Sequence, residues 1–358
     1  MYAVIMTGGS GTRFWPVSRK GKPKQFLNIA GRDPMVMETC NRLHPVARDE
    51  EMILVLGEAH LKDATHLFDG RQVHMLAEPV GRNTAPCIGL GAIYARHLGC
   101  RGSVAFLPAD HYIGDPNSFV SALSAAGKLA ASGGIVTLGI VPSRPETGYG
   151  YIRRDPSHID SEGHKAYRVS KFVEKPDLET ALHYLDAGEY YWNAGIFVAT
   201  PDTILNETEK LLPDLFQGLL RLEKVLGTEQ FETEFNAVYQ ELEGISFDYG
   251  IMEKTQERVF VVPCQCGWSD VGSWASLFDL RSADSDTCGN VSDGQTLLLD
   301  CDGSFVSAQG GRLVTCLGLK DFLVVDTPDA LLVTSLDRSQ DIRKIVDQLK
   351  DKGKETLL

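Results

Sequence analysis

The chain has 358 residues, of which 43% are apolar and 23% are charged, and these values are ordinary for a soluble globular protein. The length predicts one large domain with a smaller one, or two domains. The formal net charge of −13 argues against a general nucleic-acid or anionic-membrane surface, because such surfaces are basic. We therefore expect neither nucleic acid nor membrane as a partner, and basic residues concentrated in one loop would mark a local anion site.

The expected location is the cytoplasm. No apolar run approaches the roughly 20 residues that span a bilayer, and the first residues lack the pattern of a secretory signal peptide. The eight cysteines are scattered along the chain without the spacing of a disulfide framework, which is typical of a protein in a reducing compartment.

The first half of the chain alternates short, fully apolar runs with helical patterns. This alternation predicts a mostly parallel sheet covered by helices on both faces. Such sheets bind ligands beyond the carboxyl ends of their strands, where a glycine-rich loop follows the first strand here. The predicted strands are residues 3–7, 52–57, 73–77, 104–108 and 135–141, and the predicted helices are residues 34–44, 60–68, 85–98 and 118–131.

The pattern changes in the second half. Between residues 147 and 200, three apolar runs look like strands without long helices between them, and we expect a mixed-sheet insertion that could form a lid over the strand ends. The composition shifts near residues 282–290, and short strands then recur at even spacing with Gly and Asp turns. This spacing suits a short β-helix or a small β-sandwich, so we place a domain boundary at residue 285.

The glycine-rich loop directly after the first strand indicates a phosphate site. Its spacing, Gly-Gly-Ser-Gly from Gly8 to Gly11, is neither G-x-G-x-x-G nor a P-loop, which disfavours an NAD-dependent oxidoreductase. Glycines let backbone N–H groups approach phosphate oxygens. Arg13 and Lys24 follow and can supply positive charge, the arginine as a planar fork and the lysine as a point charge.

The same stretch, "GGSGTRFWPVSRKGKPKQF", resembles the signature of the sugar-nucleotidyltransferase family, and Trp15 and Gln25 look like its mannose-1-phosphate guanylyltransferase branch. Further motifs match that family in order: "EPVGRNTAP", "PADHYI", "ETGYGYI", "FVEKPD", "WNAGIFV", "FDYGIMEK" and "GWSDVGSW". The resemblance implies a Rossmann-like (GT-A-like) α/β nucleotidyltransferase catalytic domain over residues 1–285. It also implies a small C-terminal β-helical segment with a terminal helix over residues 286–358.

The resemblance implies the reaction GTP + α-D-mannose 1-phosphate → GDP-mannose + diphosphate, with Mg²⁺ as cofactor. Nucleotidyl transfer needs in-line positioning and neutralised phosphate charge, and Mg²⁺ is usually held by one or two carboxylates plus ligand phosphates. Asp110 and Asp270 are the implied metal ligands, and Arg13 and Lys24 the implied catalytic cations. The nucleotide would contact Gly8, Gly9, Ser10, Gly11, Thr12, Arg13, Glu78, Asn83, Thr84 and Asp110, and the sugar phosphate would contact Gly148, Glu174, Lys175 and Asn193.

Two alternatives stay open beside this interpretation. The first is a nucleotidyltransferase for another sugar 1-phosphate, of heptose or glucose type. The second is a non-catalytic regulatory protein that binds nucleotide sugars, although such a protein would lack charged residues that are present here at the motif positions. The family also includes longer enzymes with a C-terminal isomerase domain, which we do not expect in residues 286–358, and a homodimer is compatible with the sequence.

Overall fold

The computed structural model describes residues 1–9, 11–29 and 31–358. These residues form two compact units. The first unit comprises Met1–Gly8, Thr39–Ala109 and Ile113–Trp268, and the second comprises Gly9–Glu38, Asp110–Tyr112 and Ser269–Leu358. Most of the glycine-rich loop therefore groups with the C-terminal segment, and the boundary at residue 285 stays a prediction. No described helix is both long enough and apolar enough to cross a membrane.

The elements follow in chain order. The strands are β1 (Tyr2–Thr7), β2 (Met52–Gly57), β3 (His74–Glu78), β4 (Val104–Pro108), β5 (Tyr112–Ile113), β6 (Ile135–Ile140), β7 (Tyr151–Ser161), β8 (His164–Val173), β9 (Tyr190–Ala199), β10 (Val259–Cys264), β11 (Trp268–Ser269), β12 (Val291–Gly294), β13 (Thr296–Leu299), β14 (Phe305–Ala308), β15 (Val314–Leu317), β16 (Phe322–Asp326) and β17 (Leu331–Ser335). The α-helices are α1 (Met35–Leu43), α2 (Leu61–Leu67), α3 (Thr84–His97), α4 (Pro116–Ala131), α5 (Leu178–Ala187), α6 (Pro201–Leu211), α7 (Pro213–Val225), α8 (Phe231–Glu241), α9 (Trp274–Leu280) and α10 (Ile342–Asp351). Short 3₁₀ helices lie at Thr12–Phe14, Lys24–Phe26 and Leu336–Asp341, and a π-helical turn lies at Asp248–Met252.

The described strands of the first unit form a nine-stranded mixed sheet in the order β3-β2-β1-β4-β9-β6-β10-β8-β7. β3, β2, β1 and β4 run parallel, as do β6 and β10. The strands of this parallel part lie within one residue of the predicted bounds at each end. Their fully apolar sequences fit because parallel strands are buried on both faces.

The mixed-sheet insertion expected between residues 147 and 200 is not a unit apart from the main sheet. β7, β8 and β9 belong to the main sheet, and α5 lies between β8 and β9. β9 runs antiparallel between β4 and β6 and therefore lies inside the sheet. Its last residues, 196–199, are apolar and buried, which suits an interior position. The local pattern marks these runs as strands but does not show which strands they pair with.

Helix α3 sets the position of the loop that follows β3. Most of its side chains are apolar and buried, and it contacts β1 on one side and α6 and α7 on others. The helix begins at Thr84, directly after the short loop that leaves β3 at Glu78. The candidate base-recognition residues are thus held between a buried strand and a buried helix.

The second unit contains a small β-helix. β12, β14 and β16 pair in parallel, β17 pairs antiparallel with β16, and β13 pairs in parallel with β15. Strands that pair with the next strand but one favour the β-helix over the alternative β-sandwich. The ring of Trp274 lies 5.2 Å from Phe14 and 5.6 Å from Phe305, so glycine-loop residues share this core. The main core residues of this unit are Phe14, Trp15, Met35, Val271, Trp274, Leu277, Val291, Phe305, Leu323, Val325, Leu332, Leu336 and Ile342.

Candidate active site

Lys24 links the two aspartate motifs within the second unit. Its Nζ donates to Asp110 Oδ2 at 2.9 Å and to the backbone oxygen of Asp270 at 2.5 Å. The lysine is only 5% exposed, whereas the side chain of Asp110 is 27% exposed. Burial alone would raise the pKa of Asp110, but the charge of Lys24, aided by His111 and by hydrogen bonds, holds it below its ordinary value. Three residues predicted from separate motifs therefore form one charged cluster.

Gly11 allows this lysine to approach the glycine loop. Its φ is +58°, in the left-handed region that favours glycine. A Cβ at this position would lie 2.7 Å from Lys24 Cβ and 2.8 Å from the Lys24 backbone nitrogen. The Gly11 carbonyl accepts from Ser18 Oγ at 2.6 Å and from the Phe14 backbone N–H at 2.9 Å. The loop is therefore closed on itself beside Lys24, and any side chain at residue 11 would push the lysine away.

The remaining glycine-loop residues are placed as follows. Gly8 follows β1, and a Cβ at Gly8 or Gly9 would meet nothing within 4 Å. Ser10 lies outside the described residues. Thr12 begins the short 3₁₀ helix that contains Arg13, and the exposed Arg13 donates from Nη1 to Gln340 Oε1 at 3.1 Å. Gln340 is a partner of the predicted catalytic arginine that no motif indicated.

The two aspartates offer the chemistry that Mg²⁺ prefers. Asp270 Oδ1 accepts from the Gly272 backbone N–H at 3.1 Å, and Asp110 is ionised by its contact with Lys24. Mg²⁺ typically takes one or two carboxylates from the protein and completes its octahedron with phosphate oxygens and water. In the described residues, no group of three or more His, Cys, Asp or Glu side chains is placed to hold a metal ion. The ionised carboxylate of Asp110, with the backbone of a second aspartate held by the same buried lysine, fits a metal that is shared with a phosphate ligand.

The candidate base-recognition residues lie in the first unit. Glu78 is the last residue of β3 and is 8% exposed, and Tyr239 Oη donates to its Oε1 at 3.0 Å. Burial raises the pKa of Glu78 to about 7, against the opposing hydrogen bond from Tyr239. Asn83 has a φ of +68° and accepts from the Thr84 backbone N–H through Oδ1 at 2.9 Å. Thr84 Oγ1 accepts from the Phe247 backbone N–H at 2.8 Å, so Asn83 and Thr84 also have structural bonds.

The candidate sugar residues also gather in the first unit. Lys175 has a φ of +50° and pairs through Nζ with Glu174 Oε1 at 3.0 Å. Glu174 Oε2 is buried and has no hydrogen-bond partner in the described part of the chain. A Cβ at Gly150 would crowd that oxygen and would lie 3.2 Å from Asn193 Cβ, so glycine leaves the carboxylate room in its present position. The backbone N–H of Gly148 donates to Glu146 Oε1 at 3.1 Å. An orphaned buried oxygen of this kind suits a ligand hydroxyl.

Asp248 is a member of this cluster that sequence reasoning missed. It lies in the π-helical turn, and its Oδ1 accepts from Asn193 Nδ2 at 2.8 Å. Burial, with a contribution from the charge of Glu174, raises the pKa of Asp248 to about 6. π-Helical turns often occur at functional sites. The motif "FDYGIMEK" contains the signal, an acid inside an otherwise apolar run.

Comparison with known proteins defines the class of this chain. Residues 2–287 match the family model described as nucleotidyl transferase, and residues 294–349 match the MannoseP isomerase/GMP-like beta-helix domain. The first match covers well over half of the chain, and the chain belongs to the nucleotidyl transferase family. The predicted fold class, a nucleotidyltransferase domain with a C-terminal β-helical segment, is confirmed.

Within that family, the chain is similar to proteins named mannose-1-phosphate guanylyltransferase. The one from Salmonella montevideo is 41% identical over 357 residues, which cover 97% of this chain and 73% of the relative. The one from Escherichia coli (strain K12) is 39% identical over 363 residues, which cover 99% and 74%. The crystal structure of mannose-1-phosphate geranyltransferase from Thermus thermophilus matches with a TM-score of 0.87 and 37% identity, over 98% of this chain and 99% of that one. The resemblance drawn from the motifs is confirmed.

Proposed function

We propose that the chain is a mannose-1-phosphate guanylyltransferase, which converts GTP and α-D-mannose 1-phosphate into GDP-mannose and diphosphate. The observation that carries the proposal is the contact of Lys24 with both the Asp110 carboxylate and the Asp270 backbone, since the three residues come from separate family motifs. The names and identities of the relatives support the same activity.

The reaction joins the sugar phosphate to the α-phosphate. A phosphate oxygen of mannose 1-phosphate attacks the α-phosphorus of GTP, a new P–O bond forms, and the bond to the bridging oxygen breaks as diphosphate leaves. Lys24 supplies a fixed, largely desolvated positive charge for the phosphate oxygens whose charge grows in the transition state. We assign to Arg13 the binding of the leaving β- and γ-phosphates. Its side chain is exposed and therefore accessible to them. A sugar phosphate is already ionised near neutral pH, so the attack requires no general base.

Mg²⁺ is proposed as the cofactor. Asp110 and Asp270 would hold it, and when bound it would supply neutralisation of the triphosphate charge. Within the chain itself, the bond from Lys24 keeps Asp110 ionised and oriented as an oxygen donor.

Substrate recognition is proposed for the two clusters of the first unit. Lys175 would bind the phosphate of the sugar, and Glu174 and Asn193 would bind its hydroxyl groups. Glu78 would accept hydrogen bonds from guanine N1–H and N2–H₂, and GTP and mannose 1-phosphate are therefore the proposed partners. The buried acceptor oxygens of Glu174 and Glu78 support these roles, because an acceptor removed from water needs a donor.

Release of diphosphate from GTP and mannose 1-phosphate, measured with added Mg²⁺, tests this function. We expect turnover with the wild type and a loss of about 10²–10³ in kcat for Lys24→Met, as when a preorganised charge is removed from a transition state. Lys20→Met is the matched control, because this exposed lysine lies in the same loop and has no role in the proposal. Absence of turnover in the wild type, or equal rates in the two variants, would contradict the proposal.

A cytoplasmic location and a homodimer complete the proposal. All eight cysteines are free, which favours a reducing compartment.

The proposed dimer rests on exposed leucines on the outer side of the β13–β15 ladder, namely Leu297, Leu299 and Leu317. Leu299 and Leu317 are direct partners in register. Contiguous exposed leucines are typical of an interface. Light scattering after size-exclusion chromatography should show that Leu317→Glu gives monomers, whereas Leu331→Glu, at an exposed leucine of β17, does not.

A further inference from the structure

Glu78 and Tyr239 form a buried acid–phenol pair in the first unit. Tyr239 is fully buried, and its hydroxyl donates to Glu78 Oε1 at 3.0 Å across 161 residues of sequence. Glu78 Oε2 has no hydrogen-bond partner among the described residues. It is nevertheless not one of the unpartnered atoms that are inaccessible to solvent. One oxygen of the carboxylate is therefore fixed by the tyrosine, and the other is unpartnered in the described residues and keeps some access to solvent. Such an arrangement provides an acceptor for a ligand.

Packing and hydrogen bonds fix the position of Tyr239. It lies on α8, where its ring meets Phe235 edge-to-face at 4.7 Å. Arg82, from the loop between β3 and α3, donates from Nε to the Tyr239 carbonyl at 2.7 Å and from Nη2 to the Gln240 carbonyl at 2.9 Å. The loop that begins after Glu78 thus holds the end of the helix that carries Tyr239. The hydroxyl of Tyr239 has little freedom to move relative to the carboxylate.

We propose that Tyr239 is a positioning residue for base recognition: its hydroxyl holds Glu78 so that Oε2 meets the Watson–Crick edge of the bound purine and selects guanine over adenine. This inference rests on the proposed function, in which Glu78 contacts the base. An ionised carboxylate only accepts hydrogen bonds. Guanine presents the donors N1–H and N2–H₂ on that edge, whereas adenine presents an unprotonated N1 beside its amino group. A carboxylate oxygen facing adenine N1 would leave two acceptors unpaired, which is a strong basis for rejection.

The proposal also predicts that base selectivity depends on pH, because Glu78 can be protonated. Burial raises its pKa to about 7, and the Tyr239 hydrogen bond counters that rise. Among the described residues, the titratable groups that face it are the Tyr239 hydroxyl from α8 and the Cys87 thiol from α3. Burial raises the pKa of each, so both are neutral near pH 7. The guanidinium of Arg82 is occupied by backbone carbonyls. A protonated Glu78 can donate as well as accept, which suits adenine, so the preference for GTP over ATP should fall as the pH drops below about 7.

Steady-state kinetics of Tyr239→Phe with GTP and with ATP, between pH 6 and 9, tests the proposal. At pH 7.5 we expect an unchanged kcat at saturating GTP, a KM for GTP raised about tenfold, and a smaller ratio of kcat/KM for GTP over ATP, as expected for one lost hydrogen bond to a charged group. The acid limb of kcat/KM for GTP should move upward by about one pH unit, because the lost hydrogen bond favoured the ionised form. At pH 9, where Glu78 is ionised in both proteins, selectivity should recover in part: the loss caused by protonation disappears, and the loss caused by the missing Tyr239 bond remains.

Tyr94→Phe is the matched control. This half-buried tyrosine on α3 loses a hydroxyl contact of 3.3 Å to His74 Nδ1 and should keep the wild-type ratio and pH profile. An unchanged GTP:ATP ratio and acid limb in Tyr239→Phe would overturn the proposal. A loss of selectivity of the same size at pH 7.5 and pH 9 would also overturn it, since a loss that ignores the ionisation of Glu78 indicates disturbed packing alone.

Glu78→Gln provides a test that does not depend on the folding of the tyrosine variant. Its amide cannot ionise and presents one donor and one acceptor, so we expect no acid limb and a GTP:ATP preference that shifts toward ATP. Equilibrium dissociation constants for GTP and ATP measure the same preference without turnover. The wild type could bind GTP preferentially, with a weaker preference below pH 7, and yet release no diphosphate. That result would refute the proposed reaction but not the role of the Tyr239–Glu78 pair. A GTP:ATP ratio of dissociation constants that does not change with pH would overturn the role of the Tyr239–Glu78 pair.

Discussion

Replacing Gly11 by alanine should impair folding and turnover together, because the added Cβ has no room. The residue has a left-handed φ of +58°, which costs a non-glycine residue roughly 1–2 kcal/mol. The Cβ would also lie 2.7 Å from Lys24 Cβ and 2.8 Å from the Lys24 backbone nitrogen, and a backbone atom cannot move aside by rotating. Overpacking of this kind adds about 1–3 kcal/mol, so the total loss of unfolding free energy should be about 2–5 kcal/mol.

The same displacement should reduce kcat. Lys24 Nζ now lies 2.9 Å from Asp110 Oδ2, and a shift of its backbone by a few tenths of an ångström lengthens that contact. Urea denaturation and diphosphate release measure the two effects on the same preparation. We expect at least a tenfold loss of kcat, since small misplacements of catalytic groups can cost about 10²-fold. A Gly11→Ala variant with wild-type stability would refute the steric argument.

Gly8→Ala is the matched control within the loop. A Cβ at Gly8 would meet nothing within 4 Å, so the unfolding free energy should stay within about 0.5 kcal/mol of the wild type. If backbone N–H groups at Gly8 approach the triphosphate, the added methyl group should raise the KM for GTP while leaving stability intact. A wild-type KM for GTP in this variant would exclude a close phosphate contact at Gly8.

Three further predictions concern single side chains. Asp110→Asn should reduce kcat by about 10²–10³ in the diphosphate assay, because the group that pairs with Lys24 loses its charge, and near-normal turnover would refute its role. Asp248→Asn should raise the KM for mannose 1-phosphate and stabilise the fold above pH 6: the folded-state pKa is raised from 3.8 to about 6, so ionisation opposes folding as the pH rises through that window. At ~1.4 kcal/mol per pKa unit the gain should reach at most about 3 kcal/mol and should vanish below pH 4 in urea titrations. Trp274→Ala should reduce the unfolding free energy by about 3–5 kcal/mol, more than Phe278→Ala at the half-buried neighbour, because Trp274 is almost fully buried between aromatic rings.

The parallel part of the sheet could be predicted from the sequence because its strands are continuous apolar runs. β1, β2 and β4 are buried along almost their whole length, and turn residues bound them clearly. The place of β9 inside this sheet could not be predicted, because its partners, β4 and β6, are distant in the sequence. Strand pairing depends on non-local contacts, and no local pattern contains that information.

The charged part of the candidate site could be predicted because its residues occupy motif positions. Lys24, Asp110 and Asp270 come from three motifs, and the structure brings them into contact. Orientation could not be predicted: no sequence pattern showed that Arg13 would bond to Gln340, which lies 327 residues later. Rotamers and long-range partners are fixed by packing, and a motif specifies only which residue type stands at a position.

Acidic side chains in apolar surroundings mark the candidate recognition sites of the first unit. They are Glu78, Glu174 and Asp248. Glu78 is buried, Glu174 holds a buried and unpartnered Oε2 in the described part of the chain, and burial raises the pKa of Glu78 and Asp248 well above the ordinary range. Burial of such groups opposes folding, and apolar residues of similar size would give a more stable protein. Acids with such perturbed pKa values are enriched at functional sites, where a ligand can supply the missing donors. An isolated acid within or at the end of an apolar run is therefore evidence for a ligand contact, and in this chain that criterion applies to Asp248 without reference to any family.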